Sequence, residues 1–313
     1  MSDYSFHFDP SQISSNRYPR LSRGNSKRFK KIIVGIIAVL IVFFMGRFFV
    51  GKSPANVAGD SIQNTDEILA KIEKITDQMT GTFSVYVYDI NRGQGFGMNE
   101  GMIFTGASVN KIAILATLYH LADKGEIDLE ETITPQERDI QDYGTGSIRN
   151  DPTGTSYSIR TLARLMMEKS DNTAGHILGK LVLTTPRVQE FIDGWGLTQT
   201  DMENNKTSNA DMQLLLTKMY KGKIESRSLT AEMLGLMARS DFDDRIPKGL
   251  PPGTKVYHKS GDEIGKIHDV GIVDIPGRPY YIGIFTTDMK DEKKTKELMA
   301  EISKVVYGYF EKN

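Results

Sequence analysis

Ser108 and Lys111 stand three residues apart in TGASVNKIAILATLYHLADKG (residues 105–125), a stretch that reads as an amphipathic helix. At i, i+3 the two side chains share one helical face. A serine hydroxyl attacks a carbonyl once a neighbouring base takes its proton, so the pair has chemical potential. Two further polar clusters share it. Ser170-Asp171-Asn172 lies between the helical patterns RTLARLMMEK and TAGHILGKLV, and Lys259-Ser260-Gly261 falls late in a strand-like run. Each also has an ordinary explanation. A serine at a helix start is commonly an N-cap, a polar triplet between helices caps the second of them, and Lys-Ser-Gly mostly marks a strand end.

Together and in this order they are more specific. Ser-x-x-Lys, Ser-Asp-Asn and Lys-Thr-Gly form the signature of class A β-lactamases and penicillin-binding proteins. Here SVNK, SDN and KSG stand in that order, with Ser260 in place of the threonine. The chain resembles the class A β-lactamase-like serine hydrolases over nearly all of 62–313. The resemblance implies an α+β fold of the β-lactamase/D-alanyl peptidase type: an antiparallel sheet flanked by terminal helices, with a helical subdomain inserted at approximately 106–245. It also implies an acyl-enzyme at Ser108, formed with a β-lactam or a peptidoglycan-derived D-alanyl peptide.

The residue roles then follow the same logic. Lys111 is the nearest base for Ser108. An amine of ordinary pKa, about 10.4, is neutral near pH 7 only if its charged form is disfavoured by roughly 4 kcal/mol. Burial and a second cation, Lys259, supply that. Ser170 bridges the lysines and the leaving nitrogen as a proton relay. Asn172 orients Lys111 or accepts a hydrogen bond from a substrate amide, and Lys259 with Ser260 binds a substrate carboxylate. By resemblance the backbone N–H groups of Ser108 and Asp262, beside Gly261, form the oxyanion hole.

The pattern departs from class A enzymes at the deacylating glutamate, which should stand on an Ω-loop in a Glu-x-x-x-Asn arrangement. The matching stretch is DMENNKTSNADMQLLL, where TSNADM reads as the start of the next helix and leaves room for a trimmed loop. Glu203 is the carboxylate placed by order, with no asparagine four residues on. It is either a displaced catalytic base or an ordinary loop acid. Without such a base, a β-lactam would acylate Ser108 and stay, and the runner-up reading is a penicillin-binding or wall-binding sensor module. Asp262 sets a negative charge beside the expected oxyanion hole unless strand alternation turns it away. A substrate-binding arginine on the following strand is not evident, and Lys266 or His268 are the substitutes available.

These groups need a scaffold. SIQNTDEILAKIEKITDQMTG (61–81) has apolar residues at helical spacing and stops on Gly81. TFSVYVYDI (82–90) is a strand, NRGQG a turn, and FGMN the start of a second strand. KVYHKSG (255–261), HDVGIVDI (268–275) and RPYYIGIFTTD (278–288) give three more, and the C-terminal segment is a helix with Leu298, Ile302, Val305, Tyr309 and Phe310 on one face. DYGTGSIRNDPTGTSYS (142–158) is a Gly-rich cleft-edge loop, with Tyr143 placed to line the cleft. Trp195 reads as core or a loop anchor.

The whole chain has 313 residues, a formal net charge of -1 and no cysteine. That balance gives no hint of nucleic acid, and the missing thiols exclude disulfides and Cys-based metal sites. The five histidines show no metal spacing, and no cofactor is expected. Residues 1–31 carry seven Lys/Arg against Asp3 and Asp9. IIVGIIAVLIVFFMGRFFV (32–50) follows, long enough as a helix to span roughly 28 Å of bilayer. The expectation is a basic disordered cytoplasmic tail (1–31), a single-pass signal anchor (32–50), a linker (51–61) and an extracellular domain (62–313). A cleaved signal peptide is the rival, and the oligomeric state is not readable.

Overall fold

The computed structural model describes residues 57–78 and 80–312. The expected tail (1–31) and anchor (32–50) lie outside the described residues. Among those described, no helix is long and apolar enough to cross a membrane. Helix α1 (Val57–Thr76) starts inside the stretch read as a linker and ends before the expected stop. No proline stands between Val57 and Thr76 to stop it, and Gly59 near its start is tolerated. Gly81, at φ 93°, instead sits in the turn into the first strand.

Strands β1 (Thr82–Asp89) and β2 (Gln94–Met98) form a hairpin, followed by the short β3 (Ile103–Thr105). The helical block then contains α2 (Lys111–Asp123), β4 (Thr132–Ile133), β5 (Tyr157–Ser158), α3 (Ile159–Glu168) and α4 (Asn172–His176), which continues as a π-helical segment, Ile177–Val182. It goes on through α5 (Thr185–Gly194), β6 (Lys206–Ser208), α6 (Asn209–Tyr220) and α7 (Arg227–Met237). The chain returns as β7 (Val256–Glu263), β8 (Lys266–Val273), β9 (Tyr280–Thr287) and α8 (Glu292–Lys312). The five long strands pair antiparallel in the order β2-β1-β9-β8-β7. This is the expected α+β architecture, with strand bounds displaced by one or two residues.

Period-two alternation gives the sheet two apolar faces. Val85 and Val87 of β1 and Ile282 and Ile284 of β9 pack with Ile68, Ile72 and Ile75 of α1 and Leu298, Ile302, Val306 and Phe310 of α8. Tyr281 and Phe285 point the other way, into the core of the helical block. Asn209 ties that block to the sheet. Its buried amide donates to Gly283 O at 2.9 Å and Ser84 Oγ at 2.9 Å, and its Oδ1 accepts from Tyr281 OH at 2.5 Å.

Helix α2 differs from its reading as an amphipathic element. Ile112, Leu115 and Leu118 are fully buried as expected, but so are Ala113, Ala116, Tyr119 and Leu121. A helix surrounded on every side is held more rigidly than a surface one. The trimmed loop is confirmed as four residues. Asp201 and Lys206 pair through both backbone bonds, and Asn205 closes the turn at φ 49°. β6 then pairs with β3, Phe104 opposite Thr207.

Ile282 is fully buried between β1 and β8 against both terminal helices. Ile282→Ala is expected to cost about 2–5 kcal/mol, measured as a lower urea midpoint with an unchanged slope.

Candidate active site

Ser108 lies on a 3-10 turn, Ala107–Asn110, that feeds directly into α2, rather than on the α-helix itself. Ala107 adopts φ 47° there, a left-handed conformation that costs a non-glycine residue roughly 1–2 kcal/mol. Buried Val109 and the rigid α2 hold the turn against that strain. Strand β7 crosses close by. A Cβ on Gly261 would stand 3.1 Å from both Ser108 N and Gly106 O, so this position has room for glycine and little else. That close approach sets the backbone of Gly261 and Asp262 beside the Ser108 amide, where the oxyanion hole is expected.

Lys111, the first residue of α2, extends its amine into the SDN cluster. Nζ lies 2.6 Å from Ser170 O, 2.8 Å from Asn172 Oδ1 and 3.4 Å from Ser170 Oγ. The cluster is locked from behind. Ser170 takes φ 51°. Asp171, fully buried, accepts hydrogen bonds from the backbone of Ser147 (2.6 Å), Ile148 (3.0 Å) and Ala174 (3.0 Å). Those donors belong to the Gly-rich loop and to α4, so the predicted cleft-edge loop is folded onto the SDN triplet. Gly146, at φ 139°, is forced by the same contact: a Cβ there would meet the Asp171 carboxylate at 2.7 Å. Asn172 Nδ2 donates to Tyr143 O at 3.0 Å, which fixes the amide so that its oxygen faces Lys111.

Lys259 reaches Ser170 Oγ from β7 at 2.9 Å, and donates to Ser260 O at 2.9 Å. The Ser170 hydroxyl is thus within reach of both amines. Burial pushes Lys111 well below its usual value, and the neighbouring charge of Lys259 lowers it further, against a small opposing pull from Asp171. Burial also lowers Lys259, to about 7; Asp269 resists and Arg245 assists. Behind β7, His258 is held between Asp269 (2.8 Å) and Asp243 (3.1 Å). Burial opposes a charge on His258, but the two carboxylates outweigh it and raise its pKa to about 9.

Two cavities meet at this point. One of about 140 Å³ is lined by Ser108, Ser170, Asn172, Ser260 and Asp262. The other, about 370 Å³, runs from Ser108, Lys111 and Asp262 past Tyr143 and Asn172 to Met202 and Asn205 on the trimmed loop. Ser108, Asn172 and Asp262 belong to both. Tyr143 stands 64% exposed at the rim. Asn110, unremarked in the sequence, is buried beside Lys111 and donates to Asn205 Oδ1 at 2.7 Å, pinning the trimmed loop to the turn that carries Ser108.

Glu203 does not join the site. It lines neither cavity, its side chain is 74% exposed, and Lys180 Nζ is its ionic partner at 3.5 Å. Met202 and Asn205 of this four-residue turn face the cleft, and Glu203 points away from it. Lys266 and His268 do not serve as the missing arginine either. Lys266 pairs with Glu263 at 3.1 Å. His268 is fully buried, bonded to Thr105 O at 2.9 Å and Thr286 N at 3.2 Å, and burial lowers its pKa to about 4. A guanidinium nearby comes from before β7 instead: fully buried Arg245, whose Nη2 donates to Asp262 Oδ2 at 2.5 Å. No local pattern marks it, because it sits alone in an irregular segment.

With this geometry in view, comparisons with known proteins are decisive on one point. The family model described as "Beta-lactamase enzyme family" matches residues 67–310. The chain belongs to the beta-lactamase enzyme family. Among curated relatives in this family, Beta-lactamase VEB-1 of Pseudomonas aeruginosa is 25% identical over 306 residues, covering 90% of this chain and 99% of the relative. Among solved structures, PBP-A matches with a TM-score of 0.73 and 27% identity, covering 79% of this chain and 97% of that one. A mutant of PBP-A, determined as an acyl-enzyme complex with penicillin G, matches with the same TM-score and 26% identity. The beta-lactamase-family fold is therefore established.

Asp171 accepts three backbone hydrogen bonds without exposure to water. Asp171→Ala leaves those donors unpaired and is expected to cost about 2–5 kcal/mol. Chemical unfolding reads the loss, and amide exchange should show the 144–148 segment freed.

Proposed function

We propose that the protein is a membrane-anchored serine hydrolase that forms an acyl-enzyme at Ser108 with β-lactams or D-alanyl peptide-like amides. One observation carries this reading: the Lys111 amine is buried at a cleft wall it shares with Ser108, with two carbonyl-type acceptors and a second amine around it. A neutral amine has two N–H bonds and one lone pair. Ser170 O and Asn172 Oδ1 take the two hydrogens, which leaves the lone pair for the Ser108 proton.

The acylation step then balances without an outside reagent. Ser108 Oγ bonds to the carbonyl carbon as Lys111 takes its proton, and the oxygen charge develops against the backbone N–H groups of Ser108 and Asp262. As the C–N bond breaks, Ser170 gives its hydroxyl proton to the leaving nitrogen and recovers one from the Lys111 ammonium. Lys259 donates to Ser170 Oγ throughout and, with Ser260, faces the substrate. Glu203, the carboxylate placed by order to free the acyl group, points out of the cleft, so the acyl-enzyme persists and the protein acts on β-lactams as a penicillin-binding protein.

Placement of the domain outside the cell rests on the sequence: seven basic residues before the apolar run 32–50 favour an inside N-terminus.

Intact mass after exposure to benzylpenicillin tests the chemistry. A single adduct of the full β-lactam mass is expected, absent in Ser108→Ala and stable after free drug is removed. Rapid loss of the adduct would mean an efficient deacylating base, and absence of any adduct would leave a binding module. The pH profile of acylation provides a separate check. The rising limb reports Lys111 becoming neutral. The falling limb reports Lys259 losing its proton near its pKa of about 7. Arginine keeps its charge over this whole range, so Lys259→Arg is expected to move the falling limb to higher pH.

A further inference from the structure

Asp262 brings a charge to the cleft that the acylation chemistry above does not use. Its carboxylate lines both cavities and is about half exposed, and its Oδ2 sits 2.5 Å from Arg245 Nη2. Arg245 itself has no exposure. Nη1 is spent on His268 O at 3.1 Å, and Nε makes no hydrogen bond, with Asp244 at 3.4 Å as its nearest counter-charge. Among the described contacts, the guanidinium addresses the cleft through the Asp262 carboxylate alone.

A ligand carboxylate entering this cleft is drawn to its cations, Lys259 and Arg245. Asp262 already holds the outward prong of Arg245, and follows Ser260 and Gly261 on β7. An incoming anion must displace that carboxylate or bind beside it. Both options weaken its binding relative to an uncharged ligand of the same shape.

Resting on the acyl-enzyme reading above, we infer that Asp262 is a specificity-determining residue: its side chain occupies the anion position of the cleft and selects acyl donors without a carboxylate there, namely uncharged or cationic amides and esters. Asp262 and Arg245 act as a self-contained pair, and the other charged groups lining the larger cavity have partners of their own, Lys180 with Glu203 and Glu263 with Lys266.

The test uses the full chain and two probes that differ at one group, benzylpenicillin and its methyl ester. Rates of Ser108 acylation are followed by intact mass in the native protein, Asp262→Asn and Asp262→Ala. Taking the ester-to-acid ratio within each protein cancels any loss of folded fraction. The native protein is expected to favour the ester, and both variants to lower the ratio by about tenfold or more, through faster reaction of the acid. A native preference for the acid, or a ratio within twofold of native in both variants, overturns the inference and leaves the acyl-enzyme reading standing. Failure of both probes to label Ser108 in all three proteins overturns that reading and this inference with it.

Discussion

Two buried amines share one hydroxyl at the cleft wall, and the rest of the molecule serves that crowding. Lys111 Nζ and Lys259 Nζ lie 3.4 and 2.9 Å from Ser170 Oγ. They are therefore no more than about 6 Å apart. If both were charged, they would repel by on the order of 3 kcal/mol at an effective dielectric near 20. One of them must give up its proton, and their surroundings decide which. Asp269 stands behind Lys259 and favours its charge, whereas Lys111 is served by neutral carbonyl oxygens and the more distant influence of Asp171. Lys111 is thus the amine that the proposed mechanism uses as its base.

Such an arrangement is costly to hold, and the fold meets the cost with rigidity rather than with local comfort. The amine of Lys111 comes from a helix buried on all sides, Lys259 from an edge strand locked by His258 and Asp269, and Ser170 from a left-handed turn clamped by Asp171. Two apolar cores on opposite faces of one sheet supply the stability against which two left-handed non-glycine residues, Ala107 and Ser170, are maintained. The tight pass of Gly261 over the Ser108 amide links the strand to the helix turn, so the three motifs behave as one body.

Much of this was legible in the sequence for reasons that are local. Alternating β-branched and aromatic residues marked β1, β8 and β9, and the SVNK, SDN and KSG clusters marked the cleft. The short run between Thr200 and Ser208 marked a trimmed loop. What escaped depended on tertiary context. Arg245 has no pattern around it and acquires meaning only by lying under β7. Asp171 looked like a plain helix cap, and its two further bonds to the Gly-rich loop need a contact across more than twenty residues. Glu203 had the right order in the chain but the wrong reach, because order says nothing about where a four-residue turn points its side chains. The helix α2 read as amphipathic from Ile112, Leu115 and Leu118 on one face, and only the packing of the other helices around it buries its remaining sides and Lys111 with them.

The claim on which the account turns is that Lys111 is uncharged near neutral pH because its burial, and then the charge of Lys259 beside it, disfavour the ammonium. A nuclear magnetic resonance titration of the Lys111 ε-methylene, in the native protein and in Lys259→Met, measures this directly. The account predicts that the native amine loses its proton well below the ordinary lysine value of 10.5, and that removing the second charge raises that midpoint. A Lys111 amine that titrates at or above the ordinary value in the native protein, or that is indifferent to the loss of Lys259, would contradict it.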